Sequence, residues 1–199
     1  MIKNMASAGK QSNTLRIIAG QWRGRKLAFP DIPGLRPTPD RVRETLFNWL
    51  QPIIHGARCL DLFSGSGALG LEALSREAGH VVMVDEHPEA IQQLSRNMEI
   101  LRCEKADLIR ANAITFLEAG PNTKTPAFDV VFLDPPYHKD LLAQCCQLLT
   151  SKCWLKPGAA IYLEAERELK DLPLPDNWEL KRSKTAGQVS YHLAIYKQP

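Results

Sequence analysis

The sequence predicts an α/β fold: a mostly parallel seven-stranded sheet with helices on both faces, an antiparallel C-terminal hairpin, and a small N-terminal β-hairpin and helix extension. Three observations predict it. From residue 58 onward, short runs rich in β-branched residues alternate with segments of helical periodicity, as successive strand–helix–strand crossovers require. Residues 59–70 run from a strand through Gly65, Gly67 and Gly70 into a helix. The strand 128–133 stops on Asp134-Pro135-Pro136-Tyr137, where two prolines hold φ near about −65° and set an acid and a ring in a stiff frame.

Taken in order, residues 1–14 are polar, have no apolar stretch like that of a secretory signal, and read as a loose tail. Residues 15–20 form a short strand and 21–30 a turn and second strand, a hairpin that brings Arg16, Arg23, Arg25 and Lys26 close to the Trp22 ring. Interleaved cations and aromatics suit a nucleic-acid backbone and its bases. A Pro/Gly linker over 33–37 follows, and then Thr38 as N-cap, Pro39 at the first helical position and Asp40 in the first turn of a helix over 40–54. That helix carries an apolar stripe of Val42, Leu46, Trp49 (or Phe47 and Leu50) and Ile53.

Strands are expected at 58–63, 80–84, 107–110, 128–133 and 159–164, and helices at 68–77, 88–101, 113–119 and 139–149. Residues 154–158 make the turn into the fifth of these strands. The chain closes with strands at 178–184 and 189–196 joined by a turn at 185–188. The divisions are a tail (1–14), an N-terminal extension with the first helix (15–55) and the main α/β domain (56–199).

Composition sets limits on function. With 199 residues, 44% hydrophobic and 24% charged, the chain has the makeup of a soluble globular protein, and its apolar runs fall short of the roughly 18 residues needed to span a bilayer. A cytoplasmic protein with no membrane association is expected. Cys59, Cys103, Cys145, Cys146 and Cys153 are odd in number and form no C-x-x-C pair, and the five histidines are scattered, so reduced thiols and no metal site are expected. Residues 1–50 hold nine Lys/Arg against three Asp/Glu, which leaves the other 149 residues at −3 although the whole chain is +3. The positive charge is gathered at one end, as in a polyanion-binding appendage.

Gly65, Gly67 and Gly70 satisfy G-x-G-x-x-G, and Asp85 lies twenty residues after the first at the tip of the next strand. A nicotinamide dinucleotide would fit that fingerprint, with Asp85 on a ribose. Asp61 favours another ligand: a carboxylate near the mouth of the glycine loop repels a pyrophosphate but attracts the ammonium of an amino acid. S-adenosyl-L-methionine has that ammonium and no phosphate.

With Asp61-x-x-x-Gly65-x-Gly67, Asp85, Asn112-Ala113 and Asp134-Pro135-Pro136-Tyr137 in this order, the chain resembles Rossmann-like class I S-adenosylmethionine-dependent amino-group methyltransferases. The segment from Arg16-Ile17-Ile18-Ala19-Gly20 through Arg23-Gly24 and Arg36-Pro37-Thr38 to Arg43-Glu44 and Leu46-Phe47 further resembles the RsmD family of 16S ribosomal RNA guanine-N2 methyltransferases. The resemblance covers nearly all of the chain beyond residue 14. It implies S-adenosyl-L-methionine as cofactor and S-adenosyl-L-homocysteine as product. Asp61, Phe63, Gly65 and Gly67 would hold the methionine part, Asp85 the ribose, and Asn112 and Ala113 the adenine. The wider class often has Asp where Asn112 stands, though an amide can still accept from the adenine amine and donate to a ring nitrogen.

The resemblance also implies that Asp134 and the Pro135 carbonyl orient the target amine while Tyr137 stacks on the base. His138 and Lys139 beside them read as solvated residues rather than general bases. Arg16, Arg23, Arg25, Lys26, Arg36, Thr38 and Arg41 would face RNA, with 16S rRNA or the small ribosomal subunit as partner and the protein a monomer. An adenine-N6 methyltransferase of DNA or RNA stays open, because the same tetrad would grip either amine. A nicotinamide oxidoreductase leaves Asp134 to Tyr137 without a task, and a catalytically dead RNA-binding module leaves an intact cofactor loop unused.

Overall fold

A computed structural model of the chain describes residues 13–122, 126–136, 141–169 and 171–198. The tail over residues 1–12, and Tyr137, His138 and Lys139, lie outside the described residues. Nine strands and five helices follow in chain order: β1 (Asn13–Arg16), β2 (Lys26–Phe29), α1 (Asp40–Leu50), β3 (Arg58–Asp61), α2 (Ala68–Ser75), β4 (His80–Asp85), α3 (Pro88–Leu101), β5 (Ala106–Arg110), α4 (Ala113–Glu118), β6 (Phe128–Leu133), α5 (Leu141–Ser151), β7 (Leu155–Glu166), β8 (Trp178–Ala186) and β9 (Val189–Tyr196).

Seven strands make one sheet in the order β5-β4-β3-β6-β7-β9-β8, and β1 and β2 make a separate antiparallel pair. β3 pairs in parallel with β4 on one side and β6 on the other, so the strand order reverses at β3. In sheets of this kind the crevice outside the carboxyl ends at such a reversal is where ligands bind. β7 pairs in parallel with β6, and β9 runs antiparallel between β7 and β8. Val81, Val82, Met83 and Val84, and Val130, Val131, Phe132 and Leu133, have no accessible surface, which is why these strands read as unbroken apolar runs and not as alternating ones.

Several boundaries differ from expectation for physical reasons. β1 begins at Asn13, inside the stretch read as tail, because Asn13 and Thr14 pair with Phe29 and Ala28. α1 ends at Leu50, since Pro52 cannot continue it, and this leaves Ile53 41% exposed and off the apolar stripe. The N-cap of α1 is Pro39 with no side-chain hydrogen bond, because the Thr38 hydroxyl points elsewhere. β7 starts at Leu155 and not near 159: Leu155 pairs with Phe128 and Ala160 with Val130, so the Pro157-Gly158 turn is a bulge inside a longer strand.

The N-terminal pair shares a core with the main sheet. Leu15, Ile17, Leu27 and Phe29 pack in one cluster with Leu46, Phe47, Leu71 and Val81. The turn joining β1 and β2 sits on the C-terminal end of α2, where Gln21 N donates to Ser75 O (2.8 Å) and Trp22 N to Ser75 Oγ (3.1 Å), satisfying acceptors the helix leaves open. Gly20, at φ +81°, allows this approach: a Cβ there would stand 1.8 Å from Ser75 O. Glu72, fully buried in α2, accepts from Ile18 N (2.8 Å), Ala19 N (3.0 Å) and Arg76 Nε (2.8 Å).

Arg43 of α1 is also fully buried. Its Nη2 donates to Arg16 O (2.8 Å) and Asp40 Oδ1 (2.6 Å), its Nε donates to Thr38 O (3.2 Å), and its Nη1 lies 3.5 Å from Glu72 Oε2. Removing one member of a buried ionic cluster leaves the other uncompensated, at a cost of about 3–5 kcal/mol. Arg43→Met should therefore lower the thermal midpoint by on the order of 10 °C, given roughly 2–4 °C per kcal/mol for a chain of this size. Thermal unfolding checks this, and Glu72→Gln should fall in the same range.

Candidate active site

The carboxyl ends of the sheet bring the acids together. β3 ends on Asp61, β4 on Asp85, β6 runs into Asp134, and β7 carries Glu164 near its end. Between β3 and α2 the chain turns through Gly65 at φ +47° and Gly67 at φ +80°. A Cβ on Gly67 would stand 2.5 Å from Leu94 Cδ2, and one on Gly65 2.4 Å from Leu35 Cδ1, so the turn admits no side chain. Leu35 brings the linker from β2 to α1 over the glycine turn.

Asp85 fastens this turn. Its Oδ2 accepts from Gly65 N (2.8 Å) and its Oδ1 from His87 N (2.8 Å), with His87 Nδ1 2.9 Å away. Asp61 is buried, and its Oδ2 accepts from Gly70 N (2.9 Å) while the carboxylate also takes a hydrogen bond from the Phe63 backbone. Burial pushes its pKa up to about 7, with the Asp85 charge adding and these amides opposing. Asp61 thus serves local amides in this structure. Asn112 is the N-cap of α4: its Oδ1 accepts from Ile114 N (3.0 Å) and Thr115 N (3.3 Å), while its Nδ2 donates to Glu86 Oε2 (3.3 Å). The accepting half of the amide is committed to the helix and one N–H to Glu86, which leaves the second N–H of Nδ2 for a ligand. Ala113 is buried beneath it and Phe63 half-buried beside the turn.

At the β6 tip Asp134 is half-buried and Pro135 buried. The Asp134 carboxyl hydrogen-bonds both Glu164 and Thr38. Glu164 is 4% exposed, hydrogen-bonds Thr38 as well, and accepts from Tyr162 Oη at 2.6 Å. Burial, then the neighbouring Glu164 and Asp61 charges, hold Asp134 well above the usual carboxylate range; burial also raises Glu164 and Tyr162. Among the described residues no group of three or more His, Cys, Asp or Glu is placed to hold a metal ion, and no helix is long and apolar enough to cross a membrane.

The basic residues of the leading segment divide. Arg23, Lys26, Arg36 and Arg41 are exposed, and their side chains have no ion-pair or hydrogen-bond partner among the described residues. Arg16 is exposed but paired with Asp40 (2.9 Å), and Arg25 reaches Ile100 O at 3.4 Å. Trp22 is half-buried against the core. Thr38 is 6% exposed, and its side chain meets Asp134 and Glu164 at the carboxyl end of the sheet.

Comparison with known proteins decides the family. A family model described as conserved hypothetical protein 95 matches residues 15–195. The ribosomal RNA small subunit methyltransferase D of Haemophilus influenzae is 51% identical over 181 residues, covering 90% of this chain and 92% of that protein. The chain belongs to the RsmD family. The solved structure of yhhF from Escherichia coli, at 45% identity, superposes on this fold with a TM-score of 0.86 over 94% of this chain and all of that one. At 22% identity and a TM-score of 0.68, a Thermus thermophilus 16S rRNA N2 methyltransferase solved with AdoMet and guanosine shares the fold, covering 94% of this chain and 50% of that one.

Three members of the RsmD fold's working end went unread in the sequence. Glu164 stands at a strand end like Asp61, Asp85 and Asp134, and the same positional rule would have flagged it. Arg43 and Glu72 carried no such signal, because a charged residue in a helix is by default a solvated one.

Asp61 also governs acid–base behaviour. Its ordinary carboxyl pKa of 3.8 becomes about 7 in the fold, so between these values the folded chain keeps a proton the unfolded chain has released. Stability therefore falls as pH rises from about 4 to about 7, and Asp134 and Glu164, raised in the same sense, add to the fall. In denaturant titrations of the cofactor-free RsmD chain across that window, Asp61→Asn should decline less steeply than wild type. Equal slopes would assign the titration to other groups.

Proposed function

We propose that this chain transfers the methyl group of S-adenosyl-L-methionine to the exocyclic N2 amine of a guanine in 16S ribosomal RNA, acting as a cytoplasmic monomer on the RNA or the small subunit. The observation that carries the reading is the placement of Asp134 at the β6 tip among the acids that end β3, β4 and β7, beside a glycine turn that excludes side chains. The donor set suits the cofactor. Asp61, Asp85, Glu86, Asp134 and Glu164 oppose a pyrophosphate, while a ligand with a positive charge and two ribose hydroxyls meets acceptors. Asp85 would take the hydroxyls, Phe63 and the turn at Gly65 and Gly67 the methionine part, and Asn112 Nδ2 with Ala113 the adenine. The bound cofactor supplies an electrophilic methyl on a sulfonium.

The chain's own contribution is to aim the amine. The lone pair of a guanine amine is delocalised into the ring, and acceptors at its two hydrogens favour the pyramidal form that can attack. Asp134 and the Pro135 carbonyl would be those acceptors. Guanine presents N1–H beside the amine, two donors side by side, whereas adenine presents an acceptor ring nitrogen there. An acceptor cluster of Asp134 and Glu164 therefore favours guanine. Tyr137 would stack on the base, an interaction worth about 1–3 kcal/mol in single-strand binders.

Asp134→Ala should abolish methyl transfer and leave cofactor affinity nearly unchanged; parallel loss of both would overturn this division of labour. With labelled S-adenosyl-L-methionine and ribosomal RNA, assembled small subunits or DNA, the modified nucleoside should be N2-methylguanosine, and N6-methyladenine would replace the substrate assignment. Replacing Arg23, Arg25 and Lys26 together with Ala should weaken RNA binding and flatten its dependence on salt, with cofactor affinity held. The slope of log affinity against log salt should shrink by roughly 0.7–0.9 for each phosphate that the variant no longer neutralises. An unchanged salt slope would remove the hairpin from the RNA site.

A further inference from the structure

Glu164 enters the reading above only as an acceptor beside Asp134, yet the pairing of Leu133 with Leu163 sets the two acids side by side at the ends of β6 and β7. It is 4% exposed, its Oε1 accepts the Tyr162 hydroxyl at 2.6 Å, and it hydrogen-bonds both Asp134 and Thr38. An ionised carboxylate has acceptors only, so two carboxyl groups in hydrogen-bond contact require a proton between them. The Thr38 hydroxyl donates once and cannot bridge both as a donor. Tyr162 supplies its one donor to Glu164.

We infer that Glu164 is a positioning residue for the methyl transfer: it shares one proton with Asp134, and this shared proton holds the Asp134 carboxylate aimed at the target amine. The inference rests on the reading of Asp134 as the amine-holding group. The pair then carries one negative charge, with the Asp134 oxygen not engaged by the shared proton left to accept from the amine.

The balance of the step follows. The amine nitrogen forms a bond to the methyl carbon as the carbon–sulfur bond breaks, the sulfonium becomes a neutral thioether, and the positive charge passes to nitrogen. One amine proton leaves to Asp134. The pair goes from one negative charge to none and returns that proton to water.

Among the described residues, the titratable groups facing the pair are Asp61 on β3, Tyr162 on β7, and Tyr191 on β9 acting through Tyr162; all are acids, and none supplies a cation. Loss of the shared proton at alkaline pH leaves two like charges in contact, which drives the carboxylates apart and spoils the aim of Asp134.

Two measurements test this. Infrared spectra of the cofactor-free protein at neutral pH should show a carboxylic-acid carbonyl band that weakens in both Glu164→Gln and Asp134→Asn and remains in Asp61→Asn, which removes the other buried acid that the fold holds partly protonated. A band removed by Asp61→Asn and untouched by the other two overturns the shared proton whether or not the substrate is known. In single turnovers with saturating cofactor and RNA, Glu164→Ala should lose about 100-fold in rate, the size expected when a reacting group is misplaced by about 1 Å, with cofactor and RNA affinities held. Glu164→Gln can donate to Asp134 and accept from Tyr162, so it should recover to within about tenfold of wild type and lose the alkaline fall of the pH–rate profile. A wild-type alkaline limb in Glu164→Gln, or equal rates in Glu164→Ala and wild type, overturns the positioning role. A loss of Asp134→Ala activity with no effect at Glu164 would leave the functional reading standing and remove this one alone.

Discussion

The structure depends on one buried cluster, in which Arg43 of α1 and Glu72 of α2 meet without access to water. Charges withdrawn from solvent are costly unless every lone pair and N–H finds a partner. Here most partners come from main chain that needs them: Ile18 and Ala19 donate to Glu72, and Thr38 and Arg16 accept from Arg43, while Arg43 Nη1 makes no hydrogen bond among the described residues and faces Glu72 as an ion pair at 3.5 Å. A segment whose backbone would otherwise dangle beside the sheet is thereby fixed to two helices. Thr38 is held by its carbonyl on one side of the cluster and by its hydroxyl on Asp134 and Glu164 on the other.

The arrangement explains why α1 lacks a side-chain cap. A Ser or Thr before Pro-Asp at the start of an apolar-periodic segment is ordinarily a helix cap, worth about 1 kcal/mol. In this chain the hydroxyl serves two carboxyl groups instead, and the local preference yields to a tertiary need. The helix start is stabilised by Asp40 in its first turn, near the positive end of the helix dipole.

The sheet was legible in the sequence because its strands are buried on both faces and leave runs such as Val81 to Val84 that nothing else in the chain resembles. Asp61, Asp85, Asn112 and Asp134 were legible as candidate positions because a rule of topology puts function at carboxyl strand ends. What escaped was the set of long-range pairings. Glu72 sits 54 positions from Ile18, and Thr38 is separated from its carboxyl partners by β3, β4, β5 and β6. No periodicity or local propensity encodes such a meeting. The loop amide that Asp61 meets also escaped, since an acid at a strand end gives no sign of which backbone N–H its loop will bring to it, and here the path of the chain through Gly70 supplies one. The bulge at Pro157-Gly158 read as a turn because those residues signal one, while the pairing of Leu155 with Phe128 across it depends on another strand.

Besides its apolar contacts, the β1–β2 segment is joined to the rest of the molecule mainly by hydrogen bonds from its peptide groups: the amides of Ile18, Ala19, Gln21 and Trp22 meet Glu72 and Ser75, and the carbonyl of Ala28 meets Asn97. Peptide groups are the same whatever residue carries them. The outward side chains at Arg23, Lys26 and Arg36 therefore owe nothing to the attachment, and a different set of cations or aromatics could be placed there without loosening the scaffold. This outer surface is an interchangeable face on a fixed mount, so its side chains can vary while the acids at the strand ends stay where they are.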